Sequence, residues 1–339
     1  MKILISASNM VHINNFHKPY IKSFKEKGND VYVLASGEGA DFNIPFKKSV
    51  LSIKNLFLVP KIRKIIKKEK FDVIYLHTTL AAFFVRLAIK GLKNRPYVIN
   101  TVHGYLFSSN TSKIKRTVYL WCEKILKKQT DDIVTMNNED YKIATENKLS
   151  LNKVYFCNGM GVCFPNLSQA EKALSEQKKL VFVGELSKRK NQALLVRALA
   201  KLPNATLTLV GDGKERQNLQ KLAQKLGVEK RLIITGFTKD VYKYLLNSSI
   251  YVCASQIEGL PFNILEAMYV GLPIIASNVK GNKDLLPQDK LYELDNEQEL
   301  VNKILSSQDS KEIYDVEKYK LENVLGENMK IYTEFMNLE

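Results

Sequence analysis

The chain has 339 residues, 45% hydrophobic and 25% charged, the balance of an ordinary globular protein long enough for two domains. No run reaches the ~18 consecutive apolar residues that a spanning helix needs, and MKILISASNM lacks a signal peptide's long apolar region and cleavage site, so a cytoplasmic chain is expected. The net charge of +16 is one-sided: residues 1–165 hold 27 Lys/Arg against 12 Asp/Glu and the remainder 24 against 23, pointing either to a polyanionic partner (membrane surface or nucleic acid) or to solvated helix faces.

KILISAS reads as a first strand, β-branched and ending in small polar residues. Ile13, Phe16, Tyr20, Ile21 and Phe24 then recur at near-helical spacing, Gly28 closes that helix, and DVYVLAS is the next strand. The alternation continues with LFLVPKIRKIIKKEK as helix, FDVIYLHT as strand, LAAFFVRLAIKGL as helix and PYVINTVHG as strand. KIKRTVYLWCEKILKKQ is an amphipathic helix, DDIVTMN a strand and NEDYKIATENK a helix. Gly, Pro and polar residues cluster from Cys157 to Gln177, the best linker candidate.

A second alternation begins at KKLVFVGEL and runs through ATLTLVGDG, RLIITGF, IYVCAS and PIIAS as strands, with helices between them and NEQELVNKILSS after them. The tail KYKLENVLGENMKIYTEFMNLE reads as one or two helices. Strands alternating with helices predict an α/β protein of two Rossmann-like, doubly wound parallel sheets, with ligands outside the C-terminal strand ends. The expected domains are 1–165, 166–312 and a helical segment 313–339 that packs back on the first. Cys122, Cys157, Cys163 and Cys253 form no paired C-x-x-C with a His cluster, so free thiols are expected rather than a zinc site.

Three Gly-bearing strand ends stand out in the second half. LVFVGELSKRKN places Gly184 before Lys188, Arg189 and Lys190 at a strand–loop–helix junction, which suits a phosphate but also fits a solvated basic turn. LTLVGDG carries Gly211 and Gly213 without the third Gly of a dinucleotide fingerprint, which disfavours an NAD enzyme. ITGF carries Gly236. In EGLPFNILEAM a helix starts near Pro261 with Ile264, Leu265 and Met268 on its core face. Glu266 points nearly opposite, toward solvent by periodicity alone, yet beside Phe262 and Val270, where a carboxylate needs a hydrogen-bond partner. Glu258 precedes the helix at the ligand end of the sheet.

Glu258 and Glu266 form an E-x7-E pattern, flanked by S-x-x-E-G-x-P and by EAM-x-x-G-x-P-I-I-A-S, with VGELSKRKNQ and LVGDGKERQNLQ upstream. Over its whole length the chain resembles the retaining glycosyltransferases of family 4, whose GT-B architecture has two Rossmann-like domains facing a central cleft. TVHGYLF (Thr101–Phe107) and HINNFHKPYI resemble enzymes of bacterial capsule, exopolysaccharide or O-antigen assembly. The resemblance implies that Glu258, with Gly259, Leu260 and Pro261, holds the donor sugar, that Glu266 binds the ribose, and that Lys190 binds the diphosphate. It implies that His103 reaches the sugar, that the loop Ser8–His12 closes on the diphosphate, and that Gly211, Gly236 and Phe237 border the base.

Two positions depart from the family. Glu185, after Gly184, stands where an Arg is usual, so Arg189 or Lys188 is the candidate substitute, and the first loop has Asn9 and His12 instead of Gly-Gly. The resemblance further implies a UDP-linked nucleotide sugar, a lipid-linked glycan acceptor and no metal requirement. The basic first half fits peripheral docking on an anionic inner membrane face, through Lys113–Lys128 with Leu120, Trp121 and Ile125 as apolar contacts; a core-packing helix is the alternative. Weaker alternatives are a non-catalytic nucleotide-sugar binder, a nucleotide-sugar epimerase and a nucleic-acid-binding protein, the last lacking a stacking platform, so no nucleic-acid partner is expected.

Overall fold

The computed structural model describes residues 1–47, 52–167, 177–308 and 310–337. The chain forms two units, Met1–Gly161 with Leu321–Glu339, and Val162–Lys320. The crossings therefore fall at 161/162 and 320/321, against the expected 165/166 and 312/313. Residues 312–319 stay with the second unit because the Glu312 amide donates to the Gly271 carbonyl, the Tyr314 hydroxyl to the Leu272 carbonyl, and Val316 and Tyr319 enter its core. Residues 168–176 of the expected linker lie outside the described residues.

In chain order the first unit contains β1 (Lys2–Ser6), α1 (Met10–Phe16), α2 (Lys18–Glu26), β2 (Asp30–Ala35), β3 (Phe42–Asn43), α3 (Ile53–Leu56), α4 (Val59–Glu69), β4 (Val73–His77), α5 (Thr79–Ile89), β5 (Tyr97–Val102), α6 (Lys113–Ile125), β6 (Asp132–Thr135), α7 (Asn138–Glu146) and β7 (Val154–Phe156). The second contains β8 (Lys178–Val183), α8 (Gln192–Ala200), β9 (Ala205–Val210), α9 (Arg216–Lys225), β10 (Leu232–Gly236), α10 (Tyr242–Leu246), β11 (Ile250–Cys253), α11 (Phe262–Tyr269), β12 (Ile274–Ser277), α12 (Asn282–Leu285), β13 (Leu291–Tyr292) and α13 (Glu297–Ser306). α14 (Leu321–Thr333) returns to the first unit.

Both sheets are parallel, with orders β3-β2-β1-β4-β5-β6-β7 and β10-β9-β8-β11-β12-β13. In each the order reverses beside the first strand, the switch point at which doubly wound sheets bind ligands. The strands are apolar on both faces because helices cover both. In β8, Leu180 and Phe182 pack with α8 and α13, while Val181 and Val183 pack with α10 and α11. The short edge strands β3, β7 and β13 were not expected, since two or three residues carry no readable period.

α14 covers one face of the first sheet. Tyr332 is buried, its hydroxyl within 3.0 Å of Thr101 Oγ1, and its carbonyl accepts from the Tyr75 hydroxyl at 2.7 Å. Asn328 donates to the Gly159 carbonyl at 2.7 Å and to the Tyr20 hydroxyl at 2.9 Å. α6 is fastened by a buried two-pronged pair, Arg86 Nη1 to Glu123 Oε2 at 2.8 Å and Nη2 to Oε1 at 3.2 Å. Glu123 faces inward, so the opposite side of α6 leaves Ile114, Val118 and Trp121 exposed. This corrects the expected apolar contacts: Leu120 packs toward the core and Ile125 is half-buried, while Ile114 and Val118 join Trp121 outside.

Candidate active site

In the second unit, β8 ends at Val183 and the loop from Gly184 leads into a single 3-10 turn, Lys188–Lys190. Lys190 is buried, and its Nζ donates to Glu258 Oε1 at 2.5 Å. Arg189 Nη1 donates to Glu258 Oε2 at 3.3 Å and to the Ile257 carbonyl at 3.0 Å, and the Gln256 amide donates to the Arg189 carbonyl. The basic turn after β8 is thereby tied to the loop after β11. Glu258 is only 7% exposed. Burial pushes its carboxyl up, but the charges of Lys190 and Arg189 outweigh burial and hold it below the ordinary carboxylate value, so it is ionised at neutral pH. Two cations against one carboxylate leave a local positive excess at the end of the sheet.

Glycines let these strand ends close on one another. Gly211 follows β9 at φ +144°, and a Cβ there would lie 2.1 Å from the Gly184 carbonyl oxygen. Gly236, at the end of β10, bridges to Gly211. Gly281, which the sequence reading did not single out, sits at φ +81° with its Cβ position 2.7 Å from the Gly259 carbonyl oxygen and 3.0 Å from Glu258 Cβ. It lets the loop before α12 press on the Glu258–Gly259 turn. Glu185 and Phe237 are exposed, and the Glu185 carbonyl accepts from Gln192.

α11 begins at Phe262, with Pro261 as its N-cap rather than inside its first turn; Leu260 is half-buried before it. Ile264, Leu265 and Met268 are buried as the period predicts. Glu266 is half-buried rather than solvent-facing. Among the described residues nothing hydrogen-bonds or ion-pairs with its carboxylate, and burial pushes that carboxyl up to about 7. Tyr242 lies near, its hydroxyl buried without a partner. Burial, and then the Glu266 charge, push that hydroxyl up.

In the first unit the C-terminal ends of β1, β4 and β5 gather histidines. Asn9 caps α1, its Oδ1 accepting from the His12 amide at 2.9 Å. His12 lies on α1, His17 between α1 and α2, His77 at the end of β4 and His103 just after β5. His77 Nδ1 and His103 Nε2 are 3.2 Å apart, and the His17 and His77 ring centres 3.8 Å apart. Burial pushes His12 down to about 4 and the other three well below the ordinary value, neighbouring rings adding to it, so the group is neutral at pH 7. His17 and His77 were not among the expected site residues. His77 closes an apolar strand, and only its place at the sheet's end distinguishes it.

Residues 20–154 match Glycosyltransferase Family 4, and residues 164–328 match Glycosyl transferases group 1. The chain is 30% identical to the putative glycosyltransferase EpsD of Bacillus subtilis (strain 168), covering 84% of this chain and 81% of that protein. It is 29% identical to the UDP-Gal:alpha-D-GlcNAc-diphosphoundecaprenol alpha-1,3-galactosyltransferase of Escherichia coli, covering 85% and 79%. In fold it is similar to the lipopolysaccharide outer core galactosyltransferase WaaB in its apo form, with a TM-score of 0.72 at 17% identity over 98% of this chain and 100% of that one. Among the described residues no helix is long and apolar enough to cross a membrane. With both halves matched and a relative at 30% identity over most of its length, the chain belongs to the family 4 glycosyltransferases, GT-B proteins of the bacterial surface-polysaccharide type.

Proposed function

We propose that the chain is a retaining transferase that moves a hexosyl or N-acetylhexosaminyl group from a UDP-linked donor to a lipid-linked glycan. The observation that carries this reading is Glu258: a buried, ionised carboxylate held by Lys190 and Arg189 where a strand end meets a helix. Glu258 accepts from the sugar hydroxyls. Lys190 takes the negative charge that develops on the leaving diphosphate, which pre-placed charge stabilises without reorganisation. Arg189, reaching Glu258 from the neighbouring position, supplies the second cation that Glu185 does not. Glu266 takes the ribose hydroxyls that its unpartnered carboxylate lacks. Gly211, Gly236 and Phe237 border the base, and the transfer needs no metal cofactor. In the first unit His103 serves the sugar, and Asn9 and His12 the diphosphate. The name of the Escherichia coli relative, with a UDP-sugar donor and a diphosphoundecaprenol-linked acceptor, supports this choice of substrates.

The test is a panel of nucleotide sugars offered to purified protein with a GlcNAc-diphosphoundecaprenol analogue, products read by mass spectrometry. Acceptor-dependent gain of one sugar is expected with a UDP donor. Binding and turnover of none of the donors overturns the reading, and epimerised donor without acceptor product replaces it with an epimerase.

The acceptor places the reaction at an anionic inner membrane face, and α6 suits that surface. Ile114, Val118 and Trp121 form one exposed apolar stripe, with Lys113, Lys115, Arg116 and Lys124 exposed around it. Arg116→Ala is expected to weaken binding to phosphatidylserine vesicles several-fold, from the ~1 kcal/mol that a near-surface basic residue contributes. Trp121→Ser is expected to lower recovery on neutral and anionic vesicles alike. Equal sedimentation of the unaltered protein with both lipids rejects charge-driven docking.

A further inference from the structure

All four histidines of the chain stand in one cluster on the C-terminal edge of the first sheet. Their positions in the sequence, 12, 17, 77 and 103, give no metal-site spacing; the order of β1, β4 and β5 in the sheet brings them together. His12 Nε2 and both ring nitrogens of His17 are buried without a hydrogen-bond partner. A buried polar atom left unpaired costs about 1–3 kcal/mol, so three in one place need a physical reason. A chain stabilised only by packing has no use for imidazoles there.

We propose that His12, His17 and His103 form a binding site for a borderline transition-metal dication of the zinc type. Their ligand nitrogens all lie within 4.8 Å of one another. Nitrogens bound to zinc at ~2.0–2.1 Å stand roughly 3.4 Å apart in a tetrahedron, so modest rotation of the two partly exposed rings, His12 and His103, closes the set around His17. A metal bond gives a partner to the lone pair of one otherwise unpaired His17 nitrogen. His77, 3.2 Å from His103, is the outer partner that fixes the orientation of a ligating imidazole. A set of nitrogens with no carboxylate selects zinc, cobalt, nickel or copper over magnesium or calcium. The site is separate from any metal requirement of transfer. If the transferase reading holds, the ion occupies His103 and inhibits the reaction.

The experiment uses untagged full-length protein stripped of metal by chelation, without sugar nucleotide, so its outcome is independent of the transferase reading. Zinc titrated calorimetrically is expected to bind once per chain, cobalt to give the visible absorption of a tetrahedral nitrogen site, and magnesium to give no heat. His12→Ala and His17→Phe are each expected to weaken zinc binding by at least about tenfold. His12→Ala decides alone if His17→Phe does not fold, because His12 is partly exposed and on a short helix. Absence of stoichiometric zinc binding overturns the proposal. So does binding that survives His12→Ala, which assigns the ion to other groups.

Discussion

Lys190→Ala is expected to lower kcat for sugar transfer by about 10²–10³-fold, the cost of removing one pre-placed group from a developing charge. The donor KM should change less, since the diphosphate gains charge chiefly as the bond to the sugar breaks. One complication is physical. Lys190 is also the 2.5 Å partner of Glu258, and removing one member of a buried ion pair costs about 3–5 kcal/mol. Lost activity in Lys190→Ala could therefore reflect a disturbed loop. The double variant Lys190→Met with Glu258→Gln removes both charges together and is expected to regain most of the melting temperature while remaining inactive. Single-turnover rates and thermal melts on the three proteins separate the effects. Substantial transfer by the stable double variant removes both residues from the assigned roles.

The sequence carries the alternation of strands and helices well because each helix is long enough to show a period and each central strand is apolar throughout. It also places Glu258, Lys190 and Arg189 on loops that the structure joins within 3.3 Å, since turn residues and strand ends are local features. What it does not carry depends on neighbours far apart in the chain. The half-burial of Glu266 depends on what packs over α11, so the helical wheel pointed it to solvent. The exposed stripe on α6 was misassigned because Arg86, on α5, decides which side of that helix faces in. His17 and His77 join His103 only through the strand order. Gly281 presses on Glu258 across two segments that nothing in the sequence relates.

Glu266→Gln is expected to stabilise the protein free of nucleotide at pH 8 by up to about 3 kcal/mol, less the share that solvent screens, while weakening its affinity for UDP. The carboxyl stands near 7 in the folded chain against an ordinary 4.5, because burial disfavours its charged form and no partner offsets this. The folded state thus holds a proton there that the unfolded state has already released. The contribution of this carboxyl to stability is greatest below pH 4.5, falls as pH rises toward 7, and levels off above it. A glutamine cannot ionise, so its advantage should be near zero at about pH 3.5, well below the unfolded carboxyl's ordinary value, and largest at pH 8. Nucleotide binding has the opposite dependence. Ribose hydroxyls donate to a carboxylate, so UDP affinity in the unaltered protein should rise between pH 6 and 8, with proton release on binding near pH 6.5. Glu266→Gln should lose that slope. Thermal melts across pH and calorimetry in two buffers of different ionisation heat measure the two halves separately. A stability gain without an effect on UDP would leave Glu266 buried and uncompensated for some other reason and remove the ribose from its role. An unchanged stability profile would mean that the carboxyl finds a partner in solution.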